Sequence, residues 1–92
     1  MIACDGERCR LGGAVTVDSV GGLLRELEPH LRGGVAELDF SAVEAADSAA
    51  LALIFSAMRT ARQEGRALRC TGMPASFTIL ADLYGVSDLL QA

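Results

Sequence analysis

The sequence predicts an α/β fold: a four- to five-stranded mixed β-sheet with helices packed mainly on one side. Three observations lead there. Strand-like segments alternate with amphipathic helical ones, in the order strands, helix, strand, helix, strand, helix. The last two strand–helix pairs imply right-handed crossovers, which set their strands parallel. The central stretch, residues 35–65, reads as an apolar strand, a turn and a helix whose start and stop signals agree.

Taken in order, residues 1–4 form a first edge strand and Asp5-Gly6 is a turn signal. Residues 7–11 alternate, with Cys9 and Leu11 on one face, and Gly12-Gly13 is expected to end that strand. Residues 14–17 are a further short β-branched piece, so the N-terminus reads as a hairpin or meander. Asp18 or Ser19 then caps a helix with Val20, Leu23, Leu24, Leu27 and Leu31 at helical spacing. Pro29 is expected to stop its regular part near Glu28, and Gly33-Gly34 break it. His30, beside that break, reads as a surface residue.

Residues 35–40 are the buried strand, followed by a turn. Asp47 or Ser48 caps the next helix, 48–64; Arg59 and Arg62 suit its C-terminal end, and Gly65 can take the left-handed conformation that ends it. Leu51, Ile54, Phe55, Met58 and Ala61 form its core face. Ala49, Leu53, Ala57 and Thr60 share another side, about 160° away at 100° per residue. Small and apolar residues there mean either contact with a partner or packing under a neighbouring helix. Residues 66–71 are the next strand and Gly72-Met73-Pro74 a turn. Pro74 opens a last helix, 75–84, ended by Gly85. Its stripe of Phe77, Leu80, Ala81 and Tyr84 is widened by Ile79 and Leu83.

Ninety-two residues, 51% of them hydrophobic, suit one domain spanning 1–92 with one core. A net charge of −4, with eight arginines, no lysine and twelve acids, argues against a nucleic-acid surface. Cys4, Cys9 and Cys70 match no zinc or redox spacing, and they are expected to be buried free thiols in a reducing cytoplasm. The start has no signal-peptide pattern, and no run reaches the roughly 18 apolar residues of a membrane helix, so a cytoplasmic protein is expected.

Catalytic chemistry needs convergent acid, base or nucleophile groups. Near Ser48 stand Asp39, Glu44 and Asp47, with no histidine, lysine or cysteine beside it in sequence, and no P-loop, G-x-S-x-G or H-E-x-x-H occurs. The three acids could hold a hard cation, but a solvated acidic turn is the simpler reading. No enzyme, cofactor or metal is expected.

The strand's D-F-S, residues 39–41, and the helix start A-D-S-A-A-L-A-L-I, residues 46–54, resemble the STAS domain family. The later C-T-G-M-P-A-S-F-T-I-L-A-D-L-Y-G-V-S-D-L-L, residues 70–90, resembles the MlaB-like branch, a subunit of a phospholipid-transporting ABC complex that maintains outer-membrane lipid asymmetry. The resemblance spans residues 12–90, with Ala50 where the family usually has glycine. It implies a STAS-like domain that is non-catalytic and binds the complex's ATPase subunit, stabilising it and promoting its activity. The alternative it implies is an anti-sigma factor antagonist bound to a kinase-type anti-sigma factor. In antagonists the phosphorylated serine aligns with Ala49, and Ser48 matches the hydroxyl residue of the lipid-transport branch. Asp47, Ser48, Ala49, Leu53, Ala57, Ile79 and Leu83 are the expected partner-binding and regulatory residues.

Overall fold

The computed structural model describes residues 1–73 and Ala75. Its elements are β1 (Ile2–Asp5), β2 (Arg8–Val15), α1 (Val20–Arg32), β3 (Glu37–Ala46), α2 (Ser48–Gln63) and β4 (Arg69–Thr71). The expected helix after Pro74, with its Ile79 and Leu83, lies outside the described residues.

The four strands form one sheet in the order β1-β2-β3-β4. β1 and β2 are an antiparallel hairpin, whereas β2–β3 and β3–β4 are parallel. The sheet is therefore mixed, as expected, and each parallel pair is bridged by a helix. Alternation sorts the strand side chains. Cys9 and Leu11 of β2 and Leu38 and Phe40 of β3 join Leu23, Leu27 and Leu31 of α1 and the buried side of α2 in one apolar cluster. Arg8, Arg10, Glu37 and Asp39 point to the other face of the sheet.

Besides β4, which covers only Arg69–Thr71 of the expected 66–71, three boundaries differ from expectation. Gly12-Gly13 does not end β2, and the segment expected as a turn after Phe40 is strand through Ala46. The two departures have one cause: each strand extends because the other offers it backbone partners. Between Arg10 and Gly12, and again between Gly13 and Ala14, β3 carries one more residue than β2, so two bulges keep the pairing in step. Gly13 holds φ +75, which a glycine supplies without steric cost. The bulges also break the alternation, placing Val43 rather than Ala42 against the core.

The third difference is Pro29, which sits inside α1; the helix runs on to Arg32. Proline there removes one donor, but the end of the helix is secured downstream. Gly33 N–H and Val35 N–H both donate to the His30 carbonyl, each at 3.1 Å.

The outer stripe of α2 does not exist as such. Leu53 and Ala57 are both fully buried, and only Ala49 and Thr60 of that side are half-exposed. α2 packs against α1, and its buried residues share one apolar cluster with those of the sheet, so two of its sides are covered. Packing under the neighbouring helix is the alternative that holds.

The cysteine expectation also fails in part. Cys4 and Cys9 face each other across the hairpin and are joined as a disulfide, with Cα atoms 4.0 Å apart. Cys70 is free, as expected, though half-buried rather than buried, and burial pushes its pKa up to about 12.

Candidate functional site: the mouth of the second helix

β2 and β3 run parallel and end side by side, Val15 opposite Ala46. The loops that follow both strands therefore meet at one end of the sheet. The carboxyl ends of parallel strands are the usual place for a binding site in an α/β fold. Here that place is the entrance to α2.

Asp47 builds it. Its backbone is extended, at φ −124 and ψ −168, and its Oδ1 accepts the Ala49 N–H at 2.8 Å, a standard helix cap. Its Oδ2 accepts the Val17 N–H from the loop after β2 at 3.2 Å. One carboxylate thus caps α2 and clamps the neighbouring loop, and its charge suits the positive end of the helix. The loop is held at its other side by Ser19, whose Oγ accepts from Thr16 N–H at 3.0 Å and donates to the Ala14 carbonyl at 2.9 Å.

Ser48 occupies the first turn of α2 and is exposed. Asp47 supplies the capping oxygen, so the Ser48 hydroxyl is left facing solvent and makes no hydrogen bond among the described residues. Beside it Val17 is 72% exposed, an apolar side chain in open water on a loop whose backbone is fixed. Sequence reasoning missed Val17 because one valine in a short β-branched run reads as strand. Of the expected site residues, the structure brings Asp47, Ser48 and Ala49 together here. Leu53 and Ala57 lie in the core.

Asp39 and Glu44 belong elsewhere. Glu44 is exposed along β3. Asp39, 2% exposed, sits on the face of the sheet opposite α1 and α2, at the centre of a charge network. Its Oδ1 accepts the Ser41 N–H at 2.8 Å; its Oδ2 meets Arg8 at 2.6 Å and Arg10 at 3.4 Å. The Ser41 N–H holds its pKa down, from the ordinary 3.8 to about 2, with the Ser41 hydroxyl and Arg8 helping; burial opposes them. That cover is thin, since both arginine side chains are more than half exposed. Two residues earlier on the same strand, Glu37 accepts from Arg69 of β4 at 3.1 Å and from the Thr71 hydroxyl at 2.7 Å. Asp39, Glu44 and Asp47 form no metal-holding group among the described residues. The single histidine, His30, is at the far end of α1 from the mouth.

The family described as "Mlab, STAS domain" matches residues 4–91. No curated protein matches the chain. Among solved structures, the anti-sigma factor antagonist SpoIIAA in its unphosphorylated form superposes with a TM-score of 0.74 at 14% identity, covering 96% of this chain and 82% of that one. A candidate anti-sigma factor antagonist of Thermotoga maritima gives a TM-score of 0.77 at 12% identity, covering 99% and 82%. At such identities the likeness is one of fold. Together with the mixed sheet and its bridging helices, the family match over nearly the whole chain leads to one conclusion: the chain belongs to the MlaB-type STAS domain family.

Proposed function

We propose that the chain is a non-catalytic regulatory subunit that docks on a protein partner through the mouth of α2. The partner is the ATPase subunit of a phospholipid-transporting ABC complex at the inner membrane, which binding stabilises and activates, in support of outer-membrane lipid asymmetry. The chain acts from the cytoplasm, as one domain. No described helix is long and apolar enough to cross a membrane, in keeping with attachment through a partner.

The observation that carries this reading is the arrangement at the mouth. An exposed hydroxyl, Ser48, and an exposed apolar side chain, Val17, are held on one frame by Asp47. Fixed, mixed apolar and polar groups outside the core suit a protein contact, because little side-chain order is lost on binding. The carboxylate adjoining the hydroxyl, Asp47, is already engaged by two backbone N–H groups, which gives catalysis little support there.

The test is co-purification of the full chain with the ATPase subunit of a phospholipid-transporting ABC complex from its native cells, and ATPase rate with and without it. Ser48→Thr should retain binding, Ser48→Ala should weaken it modestly, and Ser48→Glu and Val17→Asp should weaken it strongly while the circular dichroism stays native. Undiminished binding by both charged variants would remove the mouth from the interface.

A second reading, antagonism of a kinase-type anti-sigma factor, is favoured by the two antagonist neighbours and the exposed Ser48 hydroxyl. Against it, Ala49 stands at the aligned phosphoacceptor position, and a phosphate on Ser48 would adjoin the Asp47 carboxylate. A stoichiometric phosphate on Ser48 in protein from its native cells, tied to release or capture of a partner, would favour the antagonist.

A further inference from the structure

A second cluster of reactive side chains lies at the opposite end of the molecule. Cys4 and Cys9 are directly paired across the β1–β2 hairpin, and α1 packs its last turns against β1. That turn delivers His30. A ring nitrogen of His30 and the two sulfurs all lie within 4.8 Å of one another. Cys9 is buried, Cys4 half-buried and His30 exposed, so the group has a closed floor and an open rim. The backbone of His30 is fixed by the two bonds its carbonyl accepts, leaving its side chain free to turn.

We propose that Cys4, Cys9 and His30 form a binding site for a soft divalent metal ion, Zn2+, available when the Cys4–Cys9 bridge is reduced. Two thiolates and an imidazole are the donor set zinc prefers, and three protein ligands with water in the fourth place make a complete tetrahedron. Arms of about 2.3 Å at the tetrahedral angle put two sulfurs roughly 3.8 Å apart. Cysteines whose Cα atoms are 4.0 Å apart reach that separation by side-chain rotation once the bridge opens.

The chemistry balances simply. A dithiol reductant gives two electrons and two protons to the bridge; the Sγ–Sγ bond breaks, two thiols form, and the reductant becomes its own disulfide. Zn2+ then displaces one proton from each thiol and takes a lone pair from the neutral imidazole. Each ion bound to the reduced chain releases two protons. The bridge and the metal are alternative closures of the same hairpin. In a reducing compartment the dithiol prevails, and the metal-bound form ties β1 to the end of α1.

The experiment uses the full chain reduced with a water-soluble phosphine, which becomes the phosphine oxide by taking oxygen from water. Co2+ is titrated as a coloured stand-in and then displaced by Zn2+. The reduced chain should bind one equivalent, with a thiolate-to-cobalt charge-transfer band and two protons released per ion. The oxidised chain should show neither. His30→Ala removes an exposed side chain and should fold; it should cut Zn2+ affinity at least about tenfold, the lower range seen for loss of even a supporting group. Cys4→Ser should abolish the band, and Cys70→Ser should leave it intact. No stoichiometric binding by the reduced chain, equal binding by the oxidised chain, or binding unaffected by His30→Ala would overturn the proposal, as would loss of binding in Cys70→Ser.

Discussion

Asp39 shows how a single residue ties together the sheet face opposite α1 and α2. Its carboxylate is depressed to about 2, so its contribution to stability is fully present above 3.8 and is lost as pH falls through about 2. With the cover so thin, that contribution is discounted to about 1–2 kcal/mol. Urea unfolding at a series of pH values should show the loss between pH 3.8 and about 2, and Asp39→Asn should flatten the curve in that window. Asp39→Ala should cost about 1.5–3 kcal/mol at neutral pH, since it strands the Ser41 N–H and two arginines. Gly72 belongs to the same contact. A Cβ there would lie 2.8 Å from the Asp39 carboxylate and from the Ser41 nitrogen, and its φ is +66. Gly72→Ala should therefore destabilise by at least about 1–2 kcal/mol, read as a drop in Tm, and an unchanged Tm would show that β4 shifts freely.

At the level of the element, α2 was the most legible part of the chain. Its cap, its length and its principal apolar stripe follow from local pattern, and Ser48–Gln63 matches that pattern to within a residue. The burial of its second stripe was not legible. Leu53 and Ala57 are apolar whether they face a helix of the same chain or a partner, and only tertiary packing decides. Leu53→Ala should cost about 2–5 kcal/mol by cavity formation, and Leu53→Glu should unfold the chain in circular dichroism. A folded Leu53→Glu that merely loses its partner would restore the outer stripe. The long β3 was hidden for another reason. S-A-V-E-A-A alternates poorly because two bulges shift the register, and strand propensity carries no information about a partner strand thirty-odd residues away. Asp47 was legible as a cap, but its second bond, to the Val17 N–H, joins segments that sequence spacing keeps apart.

For the whole molecule, the parallel order of β2, β3 and β4 carries a kinetic consequence. Arg8 and Asp39 are 31 positions apart, and Arg69 and Glu37 are 32 apart, whereas the hairpin cysteines are separated by 5. Hairpin and helices can form early by local search, but the central pairing must wait for two long chain closures. The charge network sits where those closures meet, so it reports on the barrier itself. In stopped-flow refolding, most of the Asp39→Ala destabilisation should appear as slower folding, with a φ-value above about 0.5. If unfolding alone accelerates, β2 and β3 come together after the rate-limiting step. Slow closure would also leave β3 and the open edge of β2 unpaired during synthesis, and the arginines and acids along them would then discourage pairing with a neighbouring nascent chain before the fold is complete.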